Sequence, residues 1–118
     1  LLKYIVDINI VKRERYSMKT FFIGDTHFGH SDIIGFENRP FTNVNEMDES
    51  LINNWNQAVS DEDKVFMIGD FSFYTKETTT DICLRLKGHK ILIKGNHDTN
   101  SEEYYRQCGF EKAYIVTH

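Results

Sequence analysis

Three short stretches of this chain carry residues that could do chemistry together: Asp25-Thr26-His27, Gly69-Asp70 and Gly95-Asn96-His97-Asp98. Carboxylate and amide oxygens mixed with imidazole nitrogens suit a first-row transition metal better than calcium, which takes oxygen alone, or a structural zinc, which favours thiolates. Each stretch alone says little. An acid two residues from a histidine is common by chance, Gly-Asp after a strand is often only a turn, and Asn96 and Asp98 could simply brace a turn through side-chain hydrogen bonds. Their shared position argues for a joint site. Each follows at once on a short apolar run that ends in glycine: TFFIG at 20–24, VFMIG at 65–69 and ILIKG at 91–95.

Those runs imply the elements that must position the polar residues. Continuous β-branched and aromatic runs of this length predict strands buried on both faces, the pattern of a parallel sheet. Helical patterns lie between them. Asn45 is placed to cap a helix with Asp48 three residues on, with Met47, Leu51, Trp55, Ala58 and Val59 following on one face, and Thr75 to cap a second that carries Ile82, Cys83 and Leu86 and stops at Lys87-Gly88. Ser101 is placed to cap a third that ends at Gly109, before a last strand-like run from Ala113 to Thr117. Strands alternating with helices predict an α/β fold with right-handed crossovers. In such open sheets the ligand site lies at the carboxyl ends of the strands, so Asp25, Asp70 and Asn96 should converge on one rim.

Composition bounds the function. The 118 residues, 40% hydrophobic, are enough for one domain with a sizeable core and too few for a second. No apolar stretch is long enough to span a membrane. A net charge of -4 argues against a protein that holds nucleic acid chiefly through a basic surface, although bound cations would reverse the local sign for a phosphate substrate. Cys83 and Cys108 match no metal or disulfide framework, so a reducing cytoplasm is the expected compartment. The chain opens at Leu1. Leu2, Tyr4, Val6, Ile8 and Ile10 alternate as in a short strand, and basic residues follow them, the reverse of a signal peptide. Met18 is a plausible start, which makes residues 1–17 an N-terminal extension of uncertain status and 18–118 the domain.

The ordered blocks DTH, GD and GNHD resemble the first signature blocks of the calcineurin-like metallophosphoesterases. The wider text GDTHFGHSDII, NRPF, MDESLINNWN and FMIGDFSF is similar to a small bacterial and phage-borne branch of that superfamily, over about residues 20–112. The resemblance implies a four-layer α/β/β/α sandwich with a two-metal centre. It implies Asp25 and His27 as ligands of one metal, Asp70 as the carboxylate bridging both, and Asn96 as a ligand of the second. It implies His97 as the histidine that approaches phosphate and leaving group, with Asp98 as its acidic partner. The expected activity is hydrolysis of phosphomono- or phosphodiesters by a hydroxide that two divalent metals activate, with manganese first and iron, zinc or nickel as alternatives. A non-catalytic binding module on the same fold and a nuclease of the same superfamily are the contrasting readings, the latter with nucleic acid as substrate only.

Two departures stand out. Relatives often continue the second block as GDxxD, whereas Asp70 is followed here by Phe71-Ser72-Phe73-Tyr74. The family also completes its site with a lone histidine and a Gly-His-x-His block after GNHD. This chain offers only His118, so the domain is expected to be truncated at its C-terminus. Arg39 in NRPF is a candidate phosphate contact, or a loop arginine fixed by a nearby acid. His30 is a candidate substrate contact or a histidine behind the site. Trp55 is expected in the core, His89 in an exposed loop, and Tyr104-Tyr105 as one exposed and one buried ring.

Overall fold

In the computed structural model the three apolar runs form adjacent strands. The structure describes residues 18–116 and, as backbone alone, the strand 5–8. The elements in chain order are β1 (Ile5–Ile8), β2 (Thr20–Gly24), α1 (Asp32–Phe36), α2 (Val44–Ala58), β3 (Lys64–Ile68), α3 (Lys76–Arg85), β4 (His89–Lys94), α4 (Glu102–Cys108) and β5 (Lys112–Ile115). They build a single sheet in the order β1-β2-β3-β4-β5, with β1 antiparallel at one edge and the other four strands parallel. Leu2, Tyr4, Ile10 and the following basic residues, like Thr117 and His118, lie outside the described residues.

Because the parallel strands follow one another in space as in sequence, right-handed crossovers deliver every connecting helix to the same face. The buried cluster bears this out. Ile52, Trp55 and Val59 from α2 and its end, Ile82 and Cys83 from α3, and Tyr105 from α4 pack on Phe21, Ile23, Val65, Met67, Leu92 and Ala113 of the sheet. Trp55 is core as expected, and its indole N–H donates to the carbonyl of Lys87 at 2.9 Å. On the opposite face Phe22 stacks on Phe66 with centroids 5.1 Å apart, while Ile68 and Tyr114 are exposed. The described residues therefore form one helix layer on one sheet layer, two of the four layers expected.

Caps explain the helix starts. Thr75 and Ser101 accept from the amides of Thr78 and Tyr104, as expected. For α2 the cap is Asn43 and not Asn45: its side chain takes the Glu46 amide, while Glu46 reaches back to the amide and hydroxyl of Thr42. The Asn43 cap satisfies the Glu46 amide, and Glu46 in return ties the residue before the cap, a variant of the capping box. The short helix α1, without a side-chain cap bond, has no sequence signal of comparable strength. His89 is exposed as expected but opens β4, with its ring 2.6 Å from Glu111. Tyr105 is buried and Tyr104 half-buried. Among the described residues no helix is long and apolar enough to cross a membrane.

Candidate metal centre

The loops leaving β2, β3 and β4 at their carboxyl ends are sewn together by backbone bonds. Gly69 donates to the carbonyl of Ile93 at 2.8 Å, His27 to that of Asp70 at 2.9 Å, Phe28 to that of Phe71 at 2.9 Å, and Phe73 back to Phe28 at 2.8 Å. Phe28 and Ser72 form an isolated parallel bridge, so pairing continues past the strands. Gly95 permits the closest approach: a Cβ there would lie 2.7 Å from the Cα of Gly69 and 2.8 Å from the amide nitrogen of Asp70. Nothing larger than glycine fits between these two loops.

Within this frame Asp25, His27 and Asp70 all adopt left-handed backbone, with φ of 52°, 53° and 47°. Residues with side chains rarely sit there, and such strain persists only where surrounding contacts overdetermine it. Here they do. Besides the bonds above, the Asp25 amide reaches the carbonyls of Ile68 and Gly69 at 3.2 Å, and the hydroxyl of buried Thr26 donates to the Phe71 carbonyl at 2.9 Å.

The result is a convergence of donor atoms. His27 Nε2 lies 3.7 Å from Asp70 Oδ2 and 4.0 Å from Asp25 Oδ1, and one ligand atom from each residue falls within 4.8 Å of the others. Neighbouring ligands on a cation with bonds of about 2.0–2.2 Å lie roughly 3–3.5 Å apart, so small side-chain adjustments close this set on one ion. The donor chemistry fits as well: two carboxylates and an imidazole suit a divalent transition metal. The other ring nitrogen of His27 is occupied, lying 3.1 Å from Nδ1 of His30, which leaves Nε2 to face the carboxylates.

Electrostatics favour the ligand forms of His27 and Asp70 and oppose that of Asp25. Burial pushes His27 below the ordinary imidazole value, partly offset by Asp70, so its ring is neutral and free to ligate. Burial raises Asp25, with the neighbouring Asp70 charge adding to it and His27 opposing it. Burial would also raise Asp70, but the amide and ring of His97 outweigh it and hold the carboxyl below the usual range.

The remaining expected site residues sit as follows. His97 is exposed at the rim, its amide 2.9 Å and its ring Nδ1 3.3 Å from Asp70 Oδ1. Asn96 is exposed beside it, and its side chain makes no hydrogen bond among the described residues. His30 stacks on Phe73 at 4.2 Å, next to His27. Asp98 differs from its expected pairing with His97. It is buried, and its two oxygens take the amides of Phe71 and Gly95 at 3.0 and 2.8 Å, so the acid beside His97 is Asp70. Arg39 turns inward: 7% exposed, it donates to the carbonyls of Asp25 at 2.7 Å and Thr26 at 3.1 Å and pairs with Glu37. A guanidinium fork suits two adjacent carbonyls as well as it suits phosphate. His118 lies outside the described residues.

Three neighbours escape a motif-based reading: Phe73, Asp48 and Tyr74. Asp48 did leave a trace, being a carboxylate at the spacing of the buried Ile52 and Trp55 in α2.

Residues 18–118 match the family model for calcineurin-like phosphoesterases. The chain is 42% identical over 88 residues to an uncharacterized protein of Methanocaldococcus jannaschii, covering 73% of this chain and 50% of that protein. It is 32% identical over 82 residues to the Gene 66 protein of Mycobacterium phage L5, covering 67% of this chain and 39% of the phage protein. It thus spans half or less of the curated relatives it matches. A crystal structure of an Aquifex aeolicus protein of unknown function is similar at a TM-score of 0.64 and 27% identity, over 84% of this chain and 54% of that one.

Proposed function

Because the chain belongs to the calcineurin-like phosphoesterase family, we propose that the whole protein hydrolyses phosphate mono- or diesters with two divalent transition metals, manganese foremost. The observation that carries this reading is the convergence of Asp25, His27 and Asp70 at the carboxyl ends of two adjacent parallel strands. Asp25 and His27 would hold one cation, Asp70 would serve both, and Asn96 would serve the second. When bound, such a cation pair lowers the pKa of water and offsets charge on the phosphoryl oxygens.

The chain's own residues do the rest. Asp70 is suited to bridging because Oδ1 is anchored by the His97 amide while Oδ2 faces His27. His97, held through Nδ1 beside Asp70, presents Nε2 outward, where it can contact the phosphate and protonate a departing alkoxide. Asp98 shapes the turn that carries Asn96 and His97 by tying Gly95 to Phe71. The free, buried thiols of Cys83 and Cys108 support a reducing compartment.

The test is hydrolysis of aryl phosphomonoesters and phosphodiesters with and without manganese. Turnover should require the metal, with magnesium alone serving poorly, and turnover that survives exhaustive chelation would sink the reading. His97→Ala should retain metal and lose rate most with poor leaving groups. Equal losses for good and poor leaving groups would replace the general-acid role by charge stabilisation.

A further inference from the structure

We infer that Asp48, acting with Tyr74, is a positioning residue for this centre: from α2 it sets the loop that carries His27 and His30. The inference rests on the reading of Asp25, His27 and Asp70 as metal ligands.

Asp48 is 6% exposed in the second turn of a helix, where a carboxylate is costly unless hydrogen-bonded. Its bonding partners lie outside its own helix. Oδ1 accepts from the amide of Gly29 at 3.2 Å, and Oδ2 from the hydroxyl of Tyr74 at 2.5 Å. The Tyr74 ring in turn lies on the loop backbone. Gly29 has φ +80°, and a Cβ there would stand 2.8 Å from the ring carbons Cε2 and Cζ. Tyr74 is itself fixed, its amide on Ser72 Oγ at 3.1 Å and Ser72 on Thr79 at 2.8 Å.

The clamp therefore joins α2, the loop after β2 and the loop after β3 at one point. Gly29 sits between His30 and Phe28, two residues from His27, and the two imidazoles touch through their Nδ1 atoms. Any drift of Gly29 moves both rings relative to Asp70. Burial raises Asp48 above the usual carboxylate range, and burial with the Asp48 charge pushes the tyrosine up to about 12, which keeps Tyr74 the donor. A role in helix stability alone would place an acid at the cap or in the first turn, and that is the work of Glu46.

The experiment is a manganese titration, followed by the electron paramagnetic resonance of free Mn2+, beside the thermal midpoint of the metal-free protein. Removal of a partner bonded directly to a ligand typically costs 10–100-fold in metal affinity, and Asp48 acts one step further out through Gly29, so Asp48→Ala should weaken binding by about 10-fold, the low end of that range. Asp48→Asn keeps an acceptor for the Gly29 amide and should restore affinity to within about threefold of wild type, with Tyr74→Phe between. Lowered midpoints with unchanged affinity in the folded protein would overturn the inference. If Asp48→Ala does not fold, Tyr74→Phe carries the same comparison. Wild type that binds no manganese would refute the ligand reading and this inference with it, whereas equal binding by wild type and variants would refute the inference alone.

Discussion

The two ends of the sheet each hold aspartates, and they use them in opposite ways. At the amino-terminal end Asp63 is 3% exposed, and its oxygens take the amides of Lys19 at 2.9 Å and Ser60 at 2.8 Å while its carbonyl takes the His89 amide. It closes the turn into β3 and staples it to the starts of β2 and β4. At the carboxyl end Asp25 and Asp70 turn oxygens toward one imidazole, and the Asp25 side chain is half exposed. An acid whose oxygens are consumed by amides is a structural tie. Acids that converge with lone pairs to spare form a place for a cation. Asp98 shows that both kinds occur at the same rim, since the third carboxylate there is bound to amides as Asp63 is.

The contrast breaks most visibly at Asp70. Asp70→Ala should cost manganese affinity at least about 100-fold, the upper range for an outer partner, and nearly all turnover. Calorimetric titration of the variant reads this directly, and retained affinity would remove Asp70 from the ligand set. Asp63→Ala should do the reverse. Losing two charge-assisted bonds from a buried carboxylate to partly buried amides should lower stability by about 2 kcal/mol in urea unfolding, with affinity of the folded protein unchanged. A metal defect there would show that the two ends are coupled.

The smallest effect sharpens the picture through pH. Protons compete with metal for His27 Nε2, and a pKa lowered by burial moves that competition to lower pH. Affinity should therefore hold steady from neutrality down to about 6.5, the unperturbed imidazole value, and fall only below it. Titrations at stepped pH check this, and a decline that begins at or above that value would place His27 in a solvated setting.

Much of this was legible in the chain. TFFIG, VFMIG and ILIKG mark β2, β3 and β4 as continuous apolar runs, although the expected burial on both faces is not met among the described residues, where β2 and β3 bury alternate residues under the helices. Thr75 and Ser101 mark helix starts because their hydroxyls meet orphan amides. The strand-end rule set Asp25, Asp70 and Asn96 on one rim; the cluster that forms joins Asp25 and Asp70 with His27, two residues from Asp25, while Asn96 stands exposed beside it. What stayed hidden depends on distance in sequence. Arg39 binds carbonyls 13 and 14 residues away, Asp48 meets Tyr74 across 26, and Asp98 meets Phe71 across 27. Residue type announces that such groups need partners and not which partners they find.

The sequential strand order also has a kinetic side. No strand of the parallel set inserts between two others, so the sheet can grow from one edge as the chain leaves the ribosome, and each new parallel pairing closes a shorter connection than the last. Short closures are the fast ones. The cluster around His27 is thus assembled in the order of synthesis. Asp25 and His27 come first, Asp70 joins when β3 docks, and His97 arrives with β4 to anchor it. On the proposed ligand set, a cation present during synthesis would meet its first three donors before the last two strands exist, and would hold the nascent β2–β3 pair while the remainder is made.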